Sequence, residues 1–326
     1  MDRERRCRHL SRLAGPELLH TMTSPSPKIL LLGKDSQLGW ELRRSLSAIG
    51  PLIACDRQTV NLENADEIRA QIRHHQPAIV VNTAAYTAVD KAETERAKAY
   101  RINETAARLL AEETSRLGAW LVHYSTDYVF DGEKASPYTE DDEPHPLNVY
   151  GQSKAAGERA IRETGCRHLI IRSGWLYSAH GSNFPRTILR RAIERDQLEV
   201  VSDSFGAPTS AHLVADVTAT MLNQLGDVRR PDELSGTYHL TASGSTSWYD
   251  YAQFLLSLAQ NRGLPIKANA KRVFPVTGAD YTAAAVRPKN SRLETSLLRE
   301  RFRVHLPDWK LHASRFVDEI ARSRLL

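Results

Sequence analysis

Cysteine, long apolar runs and charge of one sign are all scarce in this chain, and each scarcity excludes something. Only Cys7, Cys55 and Cys166 occur among 326 residues. They are odd in number and far apart, so neither a disulfide framework nor a cysteine-held metal is encoded. Cys55 lies in an apolar run and is expected to be buried, as suits a reducing compartment. No stretch of about 18 apolar residues exists, which removes a membrane-spanning helix. The formal net charge is +5, and residues 1–21 hold five arginines against three acids. What is left over is too small an excess to argue for nucleic acid, although an anionic small molecule is compatible with it. The expected setting is cytoplasmic, with no nucleic-acid and no membrane partner.

What is present describes an ordinary globular protein, 41% hydrophobic and 25% charged, long enough for a sizeable core and two lobes. Residues 1–27 are arginine-rich with no apolar run behind the charges, so they do not make a secretory signal. They are read as a disordered or spurious extension, with Met22 as the true start. From Lys28 onward short apolar runs alternate with helical periodicity. Strands are expected at Lys28–Gly33, Leu52–Asp56, Ala78–Asn82, Ala119–Tyr124 and His168–Arg172. Helices are expected at Gln37–Ile49, Ala65–His75, Asn148–Glu163 and, as one long element, Ala92–Leu117. This series predicts an α/β fold: a Rossmann-like, doubly wound parallel sheet over 28–172. After Arg172 the pattern breaks up. A helix at Phe184–Arg195, a strand at Leu198–Val201 and helices at Ser247–Asn261, Ser291–Phe302 and Trp309–Leu325 make 173–326 mainly a smaller lobe, with some elements returning to the first domain.

The turn Gly33-Lys-Asp-Ser36-Gln37-Leu38-Gly39 follows the first strand and opens a helix, the context a dinucleotide-binding turn requires. Ser36 stands at the middle position of a Gly-x-x-Gly-x-x-Gly spacing. Either the loop is distorted or that position needs no glycine. Asp56 ends the second strand, where an acid can bind the adenosine ribose and favour NAD, while Arg57 beside it favours the 2′-phosphate of NADP. Small residues after the third strand, Ala84 and Ala85 before Tyr86 and Thr87, would let a cofactor approach the backbone.

Tyr150 and Lys154 stand four apart in Asn148-Val-Tyr-Gly-Gln-Ser-Lys154, on one face of a helix. An ammonium beside the phenol is expected to lower its pKa from about 10. Thr126 lies just past the fourth strand on the carboxyl edge, where ligands bind in such sheets. Together the three form a Thr/Tyr/Lys set suited to protonating a carbonyl as it is reduced.

These motifs, with Gln37 to Glu41, Asn82 to Asp90, His123 to Gly132, Phe205 to Thr209 and Arg287 to Leu293, resemble the extended short-chain dehydrogenase/reductases. Within them the chain is most similar to the dTDP-4-dehydrorhamnose reductases, from Lys28 to about Leu325. The resemblance implies a dTDP-sugar substrate, NADPH or NADH as cofactor, a place in dTDP-rhamnose and O-antigen synthesis, and a homodimer. It gives Tyr150 as proton donor with Lys154 and Thr126 beside it. Cofactor contacts fall on Gly33, Ser36, Gln37, Leu38, Gly39, Asp56, Arg57, Asn61, Leu62, Ala84, Ala85, Tyr86, Thr87 and Tyr124, as well as on Tyr150 and Lys154. Sugar-nucleotide contacts fall on Thr126, Asp127, Trp175, Asn183, Phe184 and Arg287, with Arg287 and Lys289 placed to meet a pyrophosphate. Some relatives hold magnesium through glutamates. Here Glu41 fits one position and His212 occupies the other, so Mg²⁺ is not expected. A dehydratase would need a second carboxylate after Thr126-Asp127, where Tyr128 stands. A non-catalytic dinucleotide-binding regulator, like the regulatory subunit of methionine adenosyltransferase, would not need the complete Thr/Tyr/Lys set.

Overall fold

Leu30 and Leu32 face one apolar cluster while Ile29 and Leu31 face another, and all four are buried. That alternation across a fully apolar strand is what a sheet covered on both faces demands. The computed structural model describes residues 26–225, 231–280 and 283–323. The extension read over residues 1–27 lies almost wholly outside the described residues.

Six parallel strands form the main sheet: β1 (Ile29–Leu32), β2 (Leu52–Cys55), β3 (Ile79–Asn82), β4 (Trp120–Thr126), β5 (His168–Ser173) and β6 (Gly236–His239). Their spatial order is β6-β5-β4-β3-β1-β2. The chain turns to opposite sides of β1 after β2, so the β1/β3 edge is the switch point where such sheets bind ligands. Helices α1 (Gln37–Leu46), α2 (Ala65–His75), α3 (Ala106–Leu117), α4 (Val149–Glu163), α5 (Phe184–Glu194) and α6 (Ala211–Leu225) follow, then α7 (Trp248–Asn261), α8 (Ser296–Phe302) and α9 (Trp309–Ser323). The α/β fold and its parallel sheet agree with the sequence reading. Cys55 and Cys166 are free and buried. Among the described residues no helix is long and apolar enough to cross a membrane.

Three readings need correction. The helix expected over Ala92–Leu117 is interrupted. Val89–Ala92 is a separate turn, and the helix from Arg96 widens to a π turn at Arg101–Thr105 before α3. The cause is Asn103, whose amide leaves the helix surface to bond both backbone groups of Tyr86, a use typical of π turns at functional sites. The helix expected from Ser291 starts only at Ser296. Before it, Ser291 pairs by backbone with Phe205, and Glu294 with Tyr138. Finally, α6 and β6 have no counterpart in the reading. Helix α6 is apolar on most sides because it is buried along α1. Strand β6, Gly-Thr-Tyr-His, lacks the apolar run by which the equally short β1, β2 and β3 are read.

Candidate active site

Gly33 adopts φ +84°, and a Cβ there would lie 2.7 Å from the Thr83 hydroxyl. Gly39 opens onto the same turn, since its Cβ would lie 2.0 Å from the Gly33 carbonyl. Both glycines are therefore required for the backbone to pack this tightly. Ser36 is different. Its φ is −67° and its hydroxyl caps α1 by accepting from Gly39 N–H at 2.9 Å. The middle position needs no glycine, and serine supplies a helix cap there instead. The first turn of α1, carrying Gln37 and Leu38, holds no acid, so the positive end of the helix and its unsatisfied N–H groups stay suited to a phosphate. We expect Ser36→Ala to cost about 1 kcal/mol in chemical denaturation and Ser36→Gly only a few tenths. Restoring the three-glycine pattern would thus bring no gain in stability.

Asp56 is already engaged. Lys34 pairs with it at 2.8 Å, and both the amide and the hydroxyl of Thr59 donate to its Oδ1 at 2.8 Å. The Lys34 ammonium first, then the Thr59 bonds, hold its carboxyl well below the usual range. Arg57 pairs with Glu63 at 3.1 Å. Asn61 caps a tight turn by accepting from Glu63 N–H, and Leu62 is buried in the core beside it. At the end of β3 the Ala84 amide donates to Asn82 Oδ1 at 3.1 Å. The Ala85-Tyr86-Thr87 backbone is held through Tyr86 by Asn103, whose amide also reaches the Ser153 hydroxyl on α4 at 2.9 Å. Asn103 is a site residue that sequence reasoning missed. Its signal was an asparagine in the middle of an expected helix, a poor place for that side chain.

The catalytic candidates come from β4 and α4. Thr126 closes β4 rather than following it. Its hydroxyl accepts from Tyr128 N–H at 3.2 Å and donates to Asp127 Oδ1 at 3.0 Å. Asn148 caps α4 by accepting from Gly151 N–H. Gly151 lets the helix approach, since a Cβ there would meet the Tyr128 carbonyl at 2.1 Å. This close contact brings Tyr150 to Thr126 and Asp127. Tyr150 keeps some exposed surface, yet burial dominates and pushes its phenol up to about 12. The Thr126 hydroxyl pulls it down and the Asp127 charge pushes it further up. Asp127 is raised to about 6 by burial, against the Ser291 and Thr126 hydroxyls. Its Oδ2 makes no hydrogen bond of normal geometry among the described residues.

Lys154 corrects the sequence reading. It lies one turn from Tyr150, but its Nζ turns to β4, 2.6 Å from the Tyr124 carbonyl and 3.2 Å from His123 Nε2. No hydrogen bond joins it to the phenol, and the tyrosine shifts upward rather than down. Desolvation brings Lys154 itself down to about 8, against the Glu158 charge. The Tyr124 phenol is tied to Thr218 at 2.8 Å.

The remaining substrate candidates are in part occupied by the protein. Trp175, at φ +50°, stacks on Trp248 at 3.4 Å and lies against Gly206, so its ring joins the lobe packing. Asn183 caps α5 and donates to Gln37 Oε1 at 2.8 Å. Phe184 packs against Trp248 at 4.3 Å. Arg287 pairs with Asp90 at 2.7 Å, and Lys289 lies 3.7 Å from Asp203. Glu41 contacts His212 at 3.1 Å, and among the described residues no group of three or more metal-ligating side chains gathers.

The family described as the RmlD substrate binding domain matches residues 27–322. The chain belongs to this family. It is 44% identical over 296 residues to the dTDP-4-dehydrorhamnose reductase of Escherichia coli K12, covering 90% of this chain and 97% of that protein. The dTDP-4-dehydrorhamnose reductase of Burkholderia thailandensis is also 44% identical, over 87% of this chain and 95% of its own length. Among solved structures, the dTDP-4-dehydrorhamnose reductase of Bacillus anthracis in complex with NADP superposes with a TM-score of 0.81 at 35% identity, covering 90% and 99% of the two chains.

Proposed function

We propose that the protein reduces the 4-keto group of dTDP-4-dehydro-6-deoxy-L-mannose to give dTDP-L-rhamnose, using NADPH or NADH. The observation that carries this reading is the convergence of Thr126, Asp127 and Tyr150 at the carboxyl end of β4, in a chain whose relatives bear that reductase name. The turn at Gly33 and the acid-free first turn of α1 suit a dinucleotide pyrophosphate. When bound, the reduced nicotinamide supplies the hydride.

The chain's own residues do the rest. Tyr150 is protonated throughout the neutral range, so it is ready to donate its proton to the oxygen that becomes the new hydroxyl. The Thr126 hydroxyl donates to Asp127 Oδ1 while the phenol keeps its proton, and by turning to Tyr150 it would steady the phenolate left behind, in line with its downward pull on that phenol. Asp127 Oδ2, buried and free of normal hydrogen bonds, is placed to accept from a sugar hydroxyl. The smaller lobe, reaching Asp127 through Ser291, would hold the nucleotide part and supply binding energy remote from the reaction. Reduction assays with each cofactor, comparing product with authentic dTDP-L-rhamnose, test the reading.

Because Asp127 must be ionised to accept that hydrogen bond, its working form is present above about pH 6 and is lost as pH falls. We expect kcat/KM to fall about tenfold per pH unit below that point. Asp127→Asn should remove the acid limb, and an unchanged limb in that variant would assign it to another group.

A further inference from the structure

His123 lies midway along β4, buried, with Asn82 of β3 on one side and Lys154 of α4 on the other. Asn82 Nδ2 is 3.2 Å from His123 Nδ1, and Lys154 Nζ is 3.2 Å from His123 Nε2. The amide of Asn82 has a fixed sense, because its Oδ1 accepts from Ala84 N–H at 3.1 Å. An amide nitrogen only donates, so His123 Nδ1 must accept and carries no proton. A neutral ring then bears its proton on Nε2, aimed at Lys154. An ammonium has no lone pair to receive it, whereas an amine has one and can still donate to the Tyr124 carbonyl.

We propose that Asn82 and His123 are positioning residues that oppose protonation of Lys154: the ring carries its proton on Nε2 while Lys154 is an amine and on Nδ1 once Lys154 is charged. The exchange balances with one proton from solvent. The Nε2–H bond breaks as an N–H bond forms on Nζ, and the incoming proton is bound at Nδ1. Asn82 must then turn its oxygen to the ring and give up the bond from Ala84. That lost bond is the opposition, and it ties the charge of Lys154 to the backbone at the cofactor edge of β3. Surrounding groups agree. Burial, then the Lys154 charge and His168 on β5, keep the ring from becoming imidazolium. Glu158, one turn along α4, is the charge that favours the ammonium. The Tyr124 phenol is engaged elsewhere, by Thr218.

The importance of this for turnover rests on the reductase reading, but the tautomer itself does not. Nitrogen-15 NMR of the cofactor-free full chain, with the His123 signals assigned through His123→Gln, reads both ring nitrogens directly. The expected result is an Nε2–H ring at alkaline pH that converts to Nδ1–H in the same step in which Lys154 titrates. Asn82→Asp presents oxygen to Nδ1 without changing shape. It should fix the Nδ1–H ring and raise the Lys154 titration by about one pH unit or more, moving any basic limb of kcat/KM with it. An Nδ1–H ring in the wild type at every pH, or an unchanged titration in folded Asn82→Asp, overturns the proposal. If that variant does not fold, the wild-type titration alone decides. A folded wild type with no turnover of the 4-keto sugar counts against the reductase reading and leaves the tautomer result standing.

Discussion

Tyr150→Phe lowers kcat by about 10²–10⁴-fold, the range that one positioned proton donor contributes, while the dissociation constant for NADPH changes little. The phenol is the only group of the Thr126, Asp127 and Tyr150 cluster with a proton to give across the neutral range, since Asp127 titrates near 6 and the Thr126 hydroxyl is committed to Asp127. Removing the oxygen leaves the ring, its edge contact with Tyr128 and the close approach at Gly151 intact. The loss should therefore appear in single-turnover rate and not in cofactor affinity measured by fluorescence titration. Equal turnover in the two proteins would remove Tyr150 from the reaction.

The second large effect lies in stability. Glu158 on α4 is fully buried and meets Arg172 on β5, with Oε2 2.6 Å from one guanidinium nitrogen and Oε1 2.9 Å from Nε. The Ser125 hydroxyl donates to the same carboxylate at 2.5 Å. Burial alone would raise this carboxyl, but the charge and hydrogen bonds of Arg172, helped by Ser125 and Arg162, carry it below the ordinary value. Arg172 also lies over the Phe130 ring at 5.1 Å, so the pair pins α4 to β5, and the Ser125 bond ties the same carboxylate to β4, the strand that presents Thr126. Glu158→Gln leaves the buried guanidinium without its counter-charge and should cost about 3–5 kcal/mol in denaturant unfolding. A group depressed in the folded state stabilises above its unfolded pKa and loses that contribution as pH falls through its folded pKa. The gap between wild type and Glu158→Gln should therefore narrow only below the ordinary glutamate range. A variant of wild-type stability would show that the pair contributes nothing to the fold.

Much of this protein can be read from its residues. Strands β1 and β3 announce themselves because every residue in them is buried and all but Asn82 are apolar, as Ile29 to Leu32 are. The Gly33 turn and the Tyr150/Lys154 spacing are local patterns, and locality is what a sequence records best. Long-range partners are different. That Lys154 would bend toward His123 depends on β4 and α4 packing together. That Asp56 would be taken by Lys34 depends on β1 and β2 lying side by side. Arg287 and Asp90 stand almost two hundred residues apart, and no spacing rule joins them. Asn103 carried a signal that periodicity smoothed over, since a single polar residue scarcely disturbs the apolar stripe of a helix.

The account stands most directly on one measurement: oxidation of NADPH and of NADH by the full chain supplied with dTDP-4-dehydro-6-deoxy-L-mannose, with the product identified. It predicts one reduced cofactor consumed for each dTDP-L-rhamnose formed. Tight cofactor binding with no oxidation, or a product bearing the opposite configuration at the reduced carbon, would contradict it.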